Sequence, residues 1–336
     1  MKQNKIIIDV LIVGAGPVGI FSAYQAGFLG MKSLVVDIQP SAGGQLTALY
    51  PYKYIYDIPG YAKIYAKDLV DNLLEQANKY NPQYLFNTEI TTCIKNADGS
   101  FDVATNNNHL ITAKTIIIAG GAGGFGPNKP PIANIEQFED KSLFYSVQDP
   151  KTFTNKKVII AGGGDSAVDW AIMLAETAKE VVLMHRRDNF RCAPSSTEAM
   201  ETLVKAGKIT KLVPYVLEDI TGSNGQIDKI IVKNMLDEVK EVNTDYFLAF
   251  FGLARSLGHF GSWGLQVDTV HNNIKVSTPT YESNIAGIFV VGDMANYDHK
   301  LKLISVGFAE TAQALHYAWR YIFPDKVLHF THSTSK

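Results

Sequence analysis

Gly14-Ala15-Gly16-Pro17-Val18-Gly19 has the glycine spacing that lets a backbone cradle a pyrophosphate. Gly14 permits a tight turn, Gly16 lets a phosphate approach the main chain, and Gly19 lets the following helix pack closely, with Pro17 at the helix start. The phosphates would sit over the helix N-terminus. The fingerprint follows an apolar run that reads as a strand, and Asp37 closes a second apolar run 23 residues after Gly14 (37 − 14). A carboxylate there accepts hydrogen bonds from ribose hydroxyls.

The pattern recurs. After Lys157–Ala161 come Gly162-Gly163-Gly164-Asp165-Ser166-Ala167, where alanine replaces the third glycine, an accepted variant. Counting 23 from Gly162 reaches His185, followed by Arg186, Arg187 and then Arg191. The acidic residue of the first copy is replaced by a guanidinium cluster. A carboxylate would repel a 2′-phosphate, whereas arginine offers it planar, charge-assisted hydrogen bonds. The first copy therefore suits a dinucleotide with a free 2′-hydroxyl and the second suits NADP. Gly162, Gly164, Ser166 and Ala167 would line the second phosphate turn, with Asp165 read as a helix cap.

The elements that position these residues are two βαβ units, residues 7–37 and 157–187, in an α/β fold of two Rossmann-like domains. The second helix is expected to run to about Lys179. Strands at 84–94 and 100–105 flank the turn Asn96-Ala97-Asp98-Gly99, and strands at 209–221 and 226–232 flank Gly222-Ser223-Asn224-Gly225; both read as β-meander insertions. Leu69, Val70, Leu73, Leu74 and Ala77 share one helical face, and 310–321 reads as a later helix. Gly120–Gly126 and Pro127–Pro131 mark a crossing between domains.

The length of 336 residues suits two domains, and 46% hydrophobic with 19% charged residues suits a globular chain with a substantial core. A net charge of −2 gives no basic excess for nucleic acid. Lys2 and Lys5 before Ile6–Ile8 imitate a signal peptide, but Asp9 interrupts the apolar run. No run approaches the ~20 apolar residues of a membrane span. The two cysteines, Cys93 and Cys192, form neither a disulfide framework nor a C-x-x-C motif, so a cytoplasmic compartment and no metal centre are expected.

Nearly the whole chain resembles the two-dinucleotide-binding-domain flavoproteins, and within them the thioredoxin-reductase-like ferredoxin–NADP reductases. The resemblance is carried by Gly14 to Gly19, Gly43-Gly44-Gln45-Leu46, Leu49-Tyr50-Pro51, Tyr54 to Gly60, Gly162 to Trp170, His185 to Arg191, Val291-Gly292-Asp293 and His332-Ser333-Thr334-Ser335. It implies an FAD domain split between residues 1–120 and 250–336, with an NADP domain at 121–249. It further implies that Asp37 meets the adenosine ribose and that Gly44, Gln45 and Tyr50 line the flavin, with the Tyr50 ring stacked on it. Ile90 and Phe125 would contact the FAD, and Asp293 would hold its ribityl and pyrophosphate region. The tail would bring His332 against the ring, with Ser333 or Thr334 in hydrogen-bond reach.

The implied activity is electron transfer between NADPH and ferredoxin or flavodoxin through FAD, in a homodimer. No residue need act as general acid, base or nucleophile, because the cofactors carry the chemistry. A helix opening near Leu303-Ile304-Ser305 would aim its N–H groups at the flavin. Lys63, Lys67, Lys300 and Lys302 are candidates for a basic face toward an acidic carrier. Alternatives are an NADPH-dependent diaphorase or quinone reductase, and a non-catalytic NADPH sensor. A thioredoxin reductase would carry C-x-x-C just before the second glycine turn. This chain has Tyr145-Ser146-Val147-Gln148-Asp149 there, which excludes direct disulfide exchange.

Overall fold

A computed structural model describes residues 5–271, 273–329 and 334. The chain divides into two compact units, one of residues 1–125 and 255–336 and the other of residues 126–254.

The first unit is built on strand β1 (Lys5–Val13), helix α1 (Pro17–Phe28) and strand β2 (Ser33–Val36). β1 pairs in parallel with β2 on one side and with the strand Leu110–Ile118 on the other. Beyond β2 lies Gln83–Leu85, also parallel. On the far side, Leu110–Ile118 pairs in parallel with Ile288–Val290 through its last residues and antiparallel with Phe101–Thr105 through its first. A central strand of a parallel sheet is covered on both faces, and β1 is apolar at almost every position for that reason. Val10 and Ile12 enter the cluster under α1, while Ile8 and Leu11 face the opposite cluster with Phe101 and Trp263. Helix Ala66–Asn78 adds Leu69, Val70, Leu73 and Ala77 to the first cluster, its buried face as the periodicity requires. Each of its larger apolar side chains contributes about 1.5–3 kcal/mol on burial.

The segment 84–94, read from sequence as one strand, is two. Gln83–Leu85 ends the parallel sheet and Ile90–Lys95 begins the antiparallel meander. Between them Asn87 takes φ +51°, and the Asn87 and Thr88 amides donate to the carbonyls of Gln39 and Asp37. The late helix is also longer than its periodicity suggests, running over Ile304–Ile322. It opens at Ile304, within the Leu303-Ile304-Ser305 stretch expected to start a helix.

The second unit has a parallel sheet in the spatial order Leu143–Phe144, Tyr246–Ala249, Lys157–Ala161, Glu180–Met184, Ile209–Leu212. A three-stranded antiparallel meander, 216–223, 226–233 and 239–243, packs Ile220, Ile227, Ile230 and Val232 into the same core. Helix Asp165–Leu174 stops five residues before Lys179, because the Thr177 and Ala178 amides turn back onto the Leu174 carbonyl.

Candidate dinucleotide-binding sites

The two glycine turns are built alike. In the first unit the Gly14 amide donates to the Val36 carbonyl at 2.8 Å and the Ala119 amide to Val13 at 2.8 Å. In the second, Gly162 donates to Met184 at 3.0 Å and Phe250 to Ala161 at 2.7 Å. The turn, its helix and its neighbouring strand ends are thus fixed by equivalent bonds in both copies. Gly14 takes φ +106°, and a Cβ there would meet the Ala119 carbonyl, so glycine is required. Gly16 is different. A Cβ on it would point into open space, at the start of α1, where no side chain caps the helix. That uncapped N-terminus, with room above it, fits a pyrophosphate.

In the first unit a cleft of about 460 Å³ opens over this turn. Gly14, Gly16, Pro17, Asp37, Gly44, Gln45, Tyr50, Ile90 and Asp293 all line it, although they come from six separate stretches of chain. Gly19 is buried behind it, where a Cβ would collide with the Gly14 carbonyl, so its part is packing. Asp37 accepts the Ala15 amide at 2.5 Å through one carboxylate oxygen and the Gln39 amide at 2.7 Å through the other. Each oxygen keeps a lone pair for a ribose hydroxyl. Burial pushes the Asp37 carboxyl above its ordinary range, and the amides of Ala15, Gln39 and Ile38 oppose that rise. Burial likewise raises the Tyr50 phenol, and the charge of Asp293 across the cleft adds to it.

Sequence reasoning missed much of the wall. Thr88 and Glu89 after β2's neighbouring strand and Ser256 to Phe260 also line the cleft, as do Lys302 to Ile304 at the expected helix start. Of these, Thr88 and Glu89 carry a local signal, a break between strands beside the Asp37 carboxylate. Helix Ile304–Ile322 does open at the cleft, with Leu303 as its first flanking residue and no side-chain cap. Its free N–H groups favour negative charge there. Of the residues expected from the resemblance, the Phe125 side chain, His332 and Ser333 lie outside what is described. Thr334 is exposed and is not among the residues that line the cleft.

The second unit presents its turn on an open edge. Gly164, Asp165 and Ser166 are exposed, and Ala167 is buried against Gly162. Asp165 is not a cap: Gly164 holds the cap position without a side-chain bond, and Asp165 accepts the Ala193 amide at 2.9 Å. It therefore ties the helix start to the loop that follows Arg191. The Arg191 amide in turn donates to the Gly163 carbonyl at 2.6 Å. Arg186, Arg187 and Arg191 are all exposed beside this turn. His185 occupies the register of Asp37 but not its electrostatic role. Its ring lies under Gly163, where a Cβ would strike it, and rests 5.4 Å from the Phe190 ring. Burial first, then the charges of Arg186, Arg187 and Arg191, hold the imidazole below its ordinary pKa. The cationic ledge consists of the arginines alone.

Lys300, considered above for a surface role, is withdrawn into an ion pair with Glu310, and its side chain is only 7% exposed. Lys67 pairs with Asp68 and Asp71, and Lys63 lies over the Tyr54 ring. Lys302 remains exposed at the rim of the cleft. No group of acidic, histidine and cysteine residues among those described could hold a metal ion, and no described helix is long and apolar enough to cross a membrane. Cys93 and Cys192 are free, and burial raises the Cys93 thiol to about 12.

Two glycine turns, each opening a helix from a parallel sheet, define a two-unit dinucleotide-binding α/β protein of the flavoprotein oxidoreductase class. The family model for pyridine nucleotide-disulphide oxidoreductases matches residues 8–314. The chain belongs to this family. It is 48% identical over 328 residues to the ferredoxin–NADP reductases of Rickettsia canadensis and Rickettsia prowazekii. Those alignments cover 98% of this chain and 96% and 97% of the two relatives. Among solved structures it is similar to the Lactococcus lactis thioredoxin reductase, with a TM-score of 0.77, 27% identity, and coverage of 94% of this chain and 99% of that one. The Thioredoxin reductase of T. acidophilum shares the fold, with a TM-score of 0.76 at 22% identity, covering 95% and 98%.

Proposed function

We propose that the chain is a ferredoxin–NADP reductase, holding FAD in the first unit and NADP(H) in the second. One observation carries the assignment of the two nucleotides: equivalent glycine turns end in a half-buried carboxylate in one unit and in exposed arginines in the other. The 48% identity to ferredoxin–NADP reductases over nearly the full length supports the reaction. Bound FAD would supply the exchange between a two-electron hydride and single electrons.

The chain's own residues bind and orient. Asp37 would hold the adenosine ribose, and the α1 N-terminus at Gly16 the pyrophosphate. Asp293 and the first turn of the C-terminal helix would face the ring end, with Gln45 and Tyr50 on the opposite wall. Arg186, Arg187 and Arg191 would select the 2′-phosphate. The tail residues His332 and Ser333 would complete the ring pocket, and the molecule would act as a cytoplasmic homodimer, with flavodoxin as a second acceptor.

The free cysteines make thiol chemistry an unsuitable route. They are two half-buried thiols, one in each unit and 99 residues apart (192 − 93), and burial raises the Cys93 thiol to about 12. Disulfide exchange needs an accessible thiolate and a partner. The decisive assay is NADPH-driven cytochrome c reduction with and without added ferredoxin. A rate that rises with ferredoxin supports this reading; a rate indifferent to it favours the diaphorase alternative. Truncation before His332 should change flavin reactivity while FAD stays bound.

A further inference from the structure

The helix Ile304–Ile322 contains one acidic residue, Glu310, and buries it to 1% exposure. Its carboxylate collects three donors: the Gly292 amide at 2.7 Å, the Tyr297 hydroxyl at 2.5 Å, and the Lys300 ammonium. All three belong to the connection that leads from the strand Ile288–Val290 into this same helix. A buried ion pair is weak evidence for stability, since an apolar trio of similar volume serves as well or better. What a carboxylate provides instead is a fixed direction for each donor.

The connection is held at its middle and faces the cleft at both ends. Gly292 takes φ +72° directly before Asp293, and Asp293 lines the cleft. Lys302, Leu303 and Ile304 line it again from the helix side. One turn before Glu310, a Cβ on Gly307 would stand 3.4 Å from the Gly292 Cα, so helix and connection are in close contact. Without its acceptor, the Gly292 amide would be a buried orphan, and the turn presenting Asp293 would lose its anchor.

We propose that Glu310 is a positioning residue: through Gly292, Tyr297 and Lys300 it holds Asp293 and the N-terminal turn of the helix in the arrangement that receives the flavin dinucleotide. It touches no cofactor itself. This role presupposes that the cleft takes FAD.

The test titrates apo-protein with FAD, following flavin fluorescence and the absorption spectrum of the bound ring. Losing the acceptor of a charge-assisted hydrogen bond corresponds to roughly tenfold or more in affinity. Glu310→Ala should therefore weaken FAD binding about tenfold or more and shift the bound-flavin spectrum, with the KM for NADPH unchanged. Glu310→Gln keeps an oxygen for the Gly292 amide but turns amide hydrogens toward the Lys300 ammonium. Adding Lys300→Met removes that conflict, so the double variant should recover most of the affinity lost in Glu310→Gln. Wild-type affinity and spectrum in folded Glu310→Ala would overturn the proposal, as would a double variant no better than Glu310→Gln. Should Glu310→Ala not fold, the two glutamine variants decide. Failure of the wild type itself to take FAD would overturn the cleft assignment, a result distinct from unchanged variants of an FAD-binding protein.

Discussion

Replacing Arg186 and Arg187 together by alanine should convert much of the preference for NADPH into indifference. Both side chains are exposed beside the second glycine turn, so each bond to a 2′-phosphate competes with water. A charge-assisted hydrogen bond of ~1.5–3 kcal/mol then falls to about 1 kcal/mol per arginine. Two together give about 2 kcal/mol, or roughly thirtyfold in binding. Arg191 remains, held through its amide to the Gly163 carbonyl, so the preference should shrink and not vanish. The 2′-phosphate lies far from the hydride, and its contacts are the same in ground and transition states. The loss should therefore appear as a higher KM for NADPH with kcat unchanged, while NADH kinetics stay constant. The KM for NADPH should also rise less steeply with salt in the variant, because screening acts on fewer charges. Steady-state kinetics with both nucleotides at two ionic strengths supply every quantity. A folded double variant that retains the full NADPH-over-NADH ratio would refute the role of the arginines.

Three further outcomes are expected. His185 should titrate by NMR below its ordinary 6.5, since burial and three arginines oppose its charge. With the folded pKa depressed, the neutral ring's contribution to stability is complete above the ordinary 6.5 of the unfolded chain and is lost as pH falls from there through the folded pKa. A midpoint at or above it in the apo-protein would contradict the buried placement. Asp37→Ala deprives the Ala15 and Gln39 amides of their acceptor and should cost about 2 kcal/mol of stability along with flavin retention; an unchanged melting temperature and flavin content would count against it. A thiol reagent at mildly alkaline pH should modify one cysteine of the native protein and two after unfolding, because burial raises the Cys93 thiol to about 12. Rapid modification of both in the native state would show that Cys93 is accessible.

Features set by neighbours along the chain were legible before any coordinates. A βαβ unit is a local object, so Gly14 to Asp37 and Gly162 to Arg187 announce their turns and strands by spacing, and the residues that close each unit carry the nucleotide proposed for it. The missing C-x-x-C was equally plain. Tertiary structure decided what depends on burial and on distant partners. Lys300 reads as a surface charge, and Glu310 as a polar position on an amphipathic helix. Only folding pairs the two away from water and sets Glu310 against the Gly292 amide. His185 falls in register with Asp37, yet its ring slides under a glycine, where burial and the neighbouring arginines disfavour its charged form, leaving the cationic role to the arginines that follow. Thr88 and Ser256 to Phe260 reach the cleft from the two separate stretches of chain that make up the unit. Residue type and spacing specify the local backbone path, whereas desolvation and long-range contact arise only once the sheet has assembled.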